Sequence, residues 1–156
     1  MYITERYISE IVAHPKYNAE DMTNHRSIGA VIKDKSGRIL IQYHNKLGFW
    51  TIPVGKVLPN QSIMDGLKQE VREECNISIL KAKEIANKLF HRNRDGIDIS
   101  IDMHLFEVLK YSGTIRNNEP HKHKSQDFMT IEELKRKKDI SDTTKIYLEY
   151  IKEEKK

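Results

Sequence analysis

Residues 55–77 read GKVLPNQSIMDGLKQEVREECNI. A loop rich in Gly, Pro and Asn runs into a segment that sets Glu70, Glu73 and Glu74 at i, i+3 and i+4. On a helix these positions share one face, so three carboxylates crowd a single patch. Such a patch is costly unless it is solvated, protonated or bridged by a cation. Hard divalent ions such as Mg²⁺ take carboxylate oxygens and commonly meet phosphates at the same site. A loop followed by an acidic helix is therefore a candidate metal–phosphate site. The competing reading is a solvated charged turn, common on exposed helix faces.

At about 100° per residue, Ile63, Met64, Leu67 and Val71 fall on one stripe, with Gly66, Glu70, Glu73 and Glu74 on the adjoining face. Ser62 followed by Asp65 has the form of a capping box, which predicts a helix over residues 62–75. Gly66 stands among the acids without a side chain and leaves room for an ion or ligand, at a helix-propensity cost of about 1 kcal/mol.

This spacing resembles the box of the Nudix hydrolases, G-x5-E-x7-R-E-U-x-E-E-x-G-U, in which U is a bulky apolar residue. Gly55, Gln61 and the run Gln69-Glu70-Val71-Arg72-Glu73-Glu74-Cys75-Asn76-Ile77 follow it without a gap. Gln61 stands where the family has Glu, Gln69 where it has Arg, and Asn76 where it has Gly. Upstream, Trp50-Thr51-Ile52-Pro53-Val54-Gly55-Lys56 is similar to the W-x-x-P-G-G-K entry to that box, with Val54 in place of the first Gly. Arg26–Ile32 and Gly37–Gln42 are similar to the family's first core hairpin. Asn118–Lys122 and Asp127–Leu134 are similar to its late segment. The resemblance spans about residues 25–135.

The departures have chemical readings. Asn tolerates the left-handed conformation that Gly supplies at a helix C-terminus. Val54 keeps a backbone carbonyl, although a positive φ would strain it. The family's Glu and Arg at the Gln61 and Gln69 positions brace the catalytic helix. Two glutamines can replace them only with neutral hydrogen bonds, about half as strong as charge-assisted ones. The expectation is a working but less tightly organised site.

The resemblance implies an α/β fold of the Nudix type, an α/β/α sandwich around a mixed β-sheet, and by length residues 1–156 read as a single domain. It implies MutT-like, magnesium-dependent hydrolysis of the pyrophosphate bond in a nucleoside diphosphate derivative of the ADP-ribose, dinucleotide or nucleoside triphosphate class. Glu70, Glu73 and Glu74 are the catalytic and metal-ligating residues it implies, with Mg²⁺ as the ion and Mn²⁺ as the alternative. Arg26, Lys56 and Trp50 are the candidate substrate contacts. Arg92 and Arg94 are further phosphate candidates, since Arg pairs bidentately with phosphate, and Phe49 could stack on a base. For the late acidic ligand that many members add, Glu119 and Asp127 are the available residues. Glu107 reads as solvent-facing. His121-Lys122-His123-Lys124 reads as a solvated loop, with phosphate contact or proton transfer as the functional alternative. Two other functions stay open: a catalytically weak nucleotide-binding or sensor domain, and an isomerase acting on a prenyl diphosphate.

The rest of the chain fits a small enzyme. Its 156 residues are 38% hydrophobic and 32% charged, and no stretch approaches the length of a membrane span. Cys75 is the single cysteine, so no internal disulfide forms, and the start of the chain lacks a charged-then-apolar signal pattern. Together these predict a cytoplasmic protein. Cys75 itself reads as structural. The net charge is +4, and basic residues cluster at 135–138 and, interleaved with Glu, at 152–156. Without aromatic residues among them, these read as solvated surface rather than a nucleic-acid face, with attraction for anionic nucleotides second. Alternation and turn residues predict strands at 25–33, 38–44, 49–52, 77–91, 97–109 and 127–130 and helices at 62–75, 131–137 and 142–154. A short helix or edge strand is expected within 3–13, a hairpin turn at Asp34–Gly37 and a loop at 113–124.

Overall fold

The computed structural model describes residues 24–94 and 96–154. The expected element within residues 3–13 lies outside them. Seven strands and three helices follow in the order β1 (Asn24–Val31), β2 (Ile39–His44), β3 (Phe49–Thr51), β4 (Val54–Val57), α1 (Ile63–Cys75), β5 (Ser78–Arg94), β6 (Ile97–Ser112), β7 (His123–Met129), α2 (Ile131–Lys135) and α3 (Asp142–Glu154).

The strands form two sheets. One is mixed, in the order β4-β1-β6-β5, with β1 parallel to β6 and the other pairings antiparallel. The other is antiparallel, in the order β3-β2-β7. The period-2 alternation of β1 and β2 divides the apolar residues between two cores. Ile28, Ala30, Ile32 and Leu40 join Leu67, Val71 and Cys75 of α1 on one side. Val31, Ile39 and Ile41 join Leu134 of α2 and Tyr147 of α3 on the other. Helices thus cover both sides, and the architecture is the expected α/β/α sandwich.

Three local expectations change. The Asp34–Gly37 turn is present, with Asp34 Oδ1 accepting from the N–H groups of Ser36 at 3.0 Å and Arg38 at 2.9 Å, and Gly37 at φ 84°. The strands it joins nevertheless diverge into different sheets, linked by a bridge between Lys33 and Ile39. The segment before the acidic helix is a strand as well as a loop, because β4 pairs with β1 from Arg26↔Val57 to Gly29↔Val54. Finally, β7 starts at His123, well before the expected Asp127. Its pairing with β2 shifts register between Tyr43 and His44, so that Tyr43 faces Ser125 while His44 faces His123. Lys124 is thereby the extra residue of a β-bulge.

Candidate active site

Helix α1 carries core and acids on one element. Ser62 caps its start, its hydroxyl accepting from the N–H of Asp65 at 3.1 Å. Asn76 ends it at φ 65°, the left-handed conformation expected of a Gly substitute, and Asn76 Nδ2 donates to the Thr114 carbonyl at 3.1 Å. Gly66 does not leave room for an ion. A Cβ there would come within 2.8 Å of Val57, so its bare backbone serves the close packing of α1 on β4. With Leu67, Val71 and Cys75 buried, the rotation of the helix is fixed. Glu74 points into the protein, Glu70 is half-buried, and Glu73 faces solvent.

Glu74 is only 1% exposed. Gln42 Nε2 donates to its Oε1 at 3.1 Å, and His123 Nε2 lies 3.3 Å from the same oxygen. Oε2 is buried without a hydrogen-bond partner among the described residues. Burial pushes the Glu74 carboxyl well above the usual range, the Lys122 ammonium opposes this, and the Glu70 charge adds to it. Burial likewise raises Glu70 to about 7, opposed by Lys122 and helped by Glu73 and Glu119. Burial lowers His123 to about 3, so its imidazole is neutral at physiological pH.

The segment expected to be a solvated loop is built instead. The N–H of Arg116 bonds the Cys75 carbonyl at 3.0 Å and that of Asn118 the Glu74 carbonyl at 3.2 Å, docking this segment on the end of α1. The N–H groups of Lys122 and His123 both donate to the Glu119 carbonyl, and Asn117 Nδ2 donates to the His123 carbonyl at 2.7 Å. Counting by twos from Gln126, which faces Gln42, the strand would turn Lys124 toward Glu74. The bulge substitutes His123 and sends Lys124 outward, its ammonium 4.3 Å from the Tyr43 ring centroid. One ligand atom each from Glu74, Glu119 and His123 lie within 4.8 Å of one another.

On the β4 side, Gly55 holds Glu70. A Cβ at Gly55 would come within 2.5 Å of Glu70 Oε2 and closer still to Cγ and Cδ, so the acid lies directly on that backbone. Val54 carries no positive φ, and Asn76 alone does among the described non-glycine residues. The two glutamines of the box do pair: Gln61 Nε2 donates to Gln69 Oε1, and Gln69 Nε2 donates to Glu73 Oε1 at 2.9 Å. Gln61 Oε1 in turn accepts from the N–H of Leu58 at 3.2 Å.

The substrate candidates divide. Arg26 is turned to the loop before α1, where Nη2 donates to the carbonyls of Leu58, Pro59 and Gln61 at 2.7, 3.1 and 2.8 Å. Its structural place is that of a brace for Gln61. Lys56 is half-buried on β4, and its charge acts on His25 and on Glu70. Trp50 pairs with Tyr43, one residue out of phase with Gln42, and packs against the core beneath α3 with Lys137 4.3 Å from its ring centroid. It is not on the face that carries Gln42 and Glu74. Phe49 is on that face, edge-on to His44, which is in turn edge-on to His123. Asp127 is exposed opposite Ile41, and Glu107 pairs with Lys33 at 3.4 Å. Arg92 and Arg94 lie on β5, but their side chains fall outside the described part. Burial, and secondarily the Glu74 charge, push the Cys75 thiol far up, consistent with a structural cysteine.

The sequence reading missed Gln42, and it held His123 only as a phosphate-contact or proton-transfer alternative to a solvated loop, not as a buried neighbour of Glu74. Gln42 interrupts the apolar run Ile39-Leu40-Ile41 and is fully buried. A polar residue there was the available signal, since a buried amide needs partners. The residues present fit a divalent cation: the carboxylates of Glu70, Glu74 and Glu119 converge electrostatically, and one fully buried carboxylate oxygen has no donor among the described residues.

The family model described as NUDIX domain matches residues 23–150. No curated protein matches the chain. Among solved structures, the MutT protein of Methanosarcina mazei Go1 is similar at TM-score 0.70 and 19% identity, covering 85% of this chain and 96% of that one. The MutT Nudix hydrolase of Burkholderia pseudomallei is similar at TM-score 0.68 and 22% identity, covering 82% and 98%. The Nudix domain of Shewanella oneidensis NrtR, solved with ADP ribose, is similar at TM-score 0.67 and 12% identity, covering 99% and 100%. At these identities the likenesses establish a shared fold, while the family match extends over most of the chain. By its sequence, and in agreement with its fold, this chain belongs to the Nudix hydrolase family.

Proposed function

We propose that this chain is a divalent-cation-dependent pyrophosphohydrolase that cleaves a nucleoside diphosphate derivative of the ADP-ribose, dinucleotide or nucleoside triphosphate class. The observation that carries this reading is Glu74. It is a buried carboxylate with an unsatisfied oxygen, set beside Glu70, Glu119 and His123 in the centre of a Nudix domain. Glu74 and Glu119 would hold the cation, with Glu70 adjacent. When bound there, a divalent ion supplies charge neutralisation for the pyrophosphate.

The chain's own groups do the rest. Glu70, held on Gly55 with its carboxyl raised to about 7, is matched to taking a proton from the attacking water near neutral pH. Lys122, whose charge acts on both buried acids, keeps the nest from being wholly anionic before substrate arrives. Gln42 orients the Glu74 carboxylate through Oε1. Glu73 faces solvent and acts through its bond from Gln69 rather than inside the nest. A reducing cytoplasm suits the single buried thiol, Cys75.

A second reading has its own observation. The Gln61–Gln69–Glu73 chain replaces charged braces with amides, which favours a slow enzyme or a nucleotide-binding domain such as one that holds ADP ribose. Phosphate release across a nucleotide panel, with and without Mg²⁺, separates the two readings: turnover supports the hydrolase, and binding without turnover supports the sensor. Glu74→Gln is expected to lower turnover by orders of magnitude with the fold intact. Near wild-type, cation-dependent activity in that variant would sink the assignment.

A further inference from the structure

His123 brings a nitrogen donor into a nest otherwise made of carboxylates. Like Glu74, it is 1% exposed and has a buried polar atom, Nδ1, with no hydrogen-bond partner among the described residues. Its placement is imposed by the fold rather than by a flexible side chain. The bulge at Lys124 selects it for the inward position, and the bonds to the Glu119 carbonyl and from Asn117 fix its backbone. Donors bound tetrahedrally to one ion at about 2.1 Å lie about 3.4 Å apart. Donor atoms already within 4.8 Å of one another therefore need to close by no more than about 1.4 Å per pair.

We propose that His123 is a nitrogen ligand that, together with Glu74 and Glu119, makes this site select a divalent transition ion of the Mn²⁺, Co²⁺ or Zn²⁺ kind over Mg²⁺. Mg²⁺ demands near-ideal octahedral geometry and gives up its waters reluctantly, whereas an imidazole nitrogen favours transition ions, Zn²⁺ and Co²⁺ more strongly than Mn²⁺. Three protein donors also leave positions open for a substrate, as catalytic sites of such ions do. This inference rests on the cation-binding reading above and revises the ion expected from the three helix glutamates.

The experiment uses the full chain stripped of metal. Mn²⁺ and Mg²⁺ affinities are measured by calorimetry, and the Mn²⁺-loaded protein is examined by pulsed electron paramagnetic resonance. Wild-type protein is expected to show nitrogen hyperfine coupling to Mn²⁺ and to bind Mn²⁺ at least about tenfold more tightly than Mg²⁺. His123→Gln is expected to lose the coupling and to weaken Mn²⁺ binding on the order of 10–100-fold, with a smaller change for Mg²⁺. Glu119→Gln, on a half-buried loop residue, is expected to weaken Mn²⁺ binding but to keep the nitrogen signal. Absence of coupling in wild-type protein overturns the proposal, as does an unchanged Mn²⁺ preference in His123→Gln. Should that variant fail to show a cooperative melt, the wild-type coupling decides alone. Mg²⁺-supported turnover without nitrogen coupling refutes the role of His123 and leaves the hydrolase reading standing. Nitrogen-coupled Mn²⁺ with no turnover on any nucleotide does the reverse.

Discussion

Gly55→Ala puts a methyl group where the Glu70 side chain lies. The added Cβ would sit within 2.5 Å of Glu70 Oε2, about 1 Å short of ordinary van der Waals contact. The flexible acid must give way, because Gly55 belongs to β4 and is tied in register to Ile28 of β1. Gly55 is not among the positive-φ glycines, so alanine can adopt its backbone conformation. Stability should therefore change by no more than about 1 kcal/mol. A displacement of about 1 Å at a catalytic group costs on the order of 10²-fold in rate, or about 2.7 kcal/mol of barrier. The assay is kcat for phosphate release at saturating divalent ion, beside a thermal melt. Gly37→Ala is the control: its φ of 84° strains alanine while nothing lies within 4 Å, so it should lose stability and keep kcat. Wild-type turnover in Gly55→Ala, or an equal loss in Gly37→Ala, would refute the placement of Glu70 on that backbone.

Restoring charge to the brace, with Gln61→Glu and Gln69→Arg together, is expected to raise turnover several-fold, up to about tenfold for a gain of about 1.4 kcal/mol. Unchanged kcat would mean that the amide chain already suffices. Asn76→Ala loses both the left-handed tolerance and the bond to Thr114, together about 2 kcal/mol. A melt lowered by roughly 4–8 °C is the expected result, and no shift would show that the helix end relaxes freely. In metal-free protein, the raised pKa of Glu70 means that the folded state holds a proton the unfolded state has released between about pH 4.5 and 7. That contribution is present at low pH and lost as pH rises. The lowered pKa values of His25 and His123 slope the other way, so their stabilisation is lost as pH falls below about 6.5. Chemical denaturation of Glu70→Gln against wild type isolates the first term: the variant should gain relative stability with rising pH across that window.

The helices and most strands were legible because their signals are local. The stripe Ile63, Met64, Leu67 and Val71, the Ser62 cap and the Asn76 end placed α1 almost to the residue. The three glutamates were read as sharing one face beside that stripe, and the fold divides them, with Glu74 buried, Glu70 half-buried and Glu73 exposed. What was hidden depends on register between distant strands. Whether His123 or Lys124 faces Glu74 is decided by one shifted pair between β2 and β7, and no alternation within His121–Lys124 contains that information. Gly66 and Arg26 were assigned to the ion and the phosphate on residue type alone. Their roles against Val57 and the loop carbonyls arise from a strand, β4, that the Pro- and Gly-containing sequence did not announce. Trp50 missed the acidic face by one residue of phase.

The brace that runs from Arg26 through the loop carbonyls to Gln61, Gln69 and Glu73 has a consequence for the conditions it can withstand. Amides neither titrate nor gather counter-ions. A Glu–Arg pair in the same place would loosen in strong salt, as exposed charges are screened beyond about 3 Å at 1 M, and would break on acidification. Here the charged groups, Arg26 and Glu73, stand at the two ends, and the links between them are carbonyls and amides. The geometry that sets α1 against its loop is therefore held with less force and over a wider range of ionic strength and acidity, so that the working range of the site is bounded by the buried acids and the cation rather than by the scaffold around them.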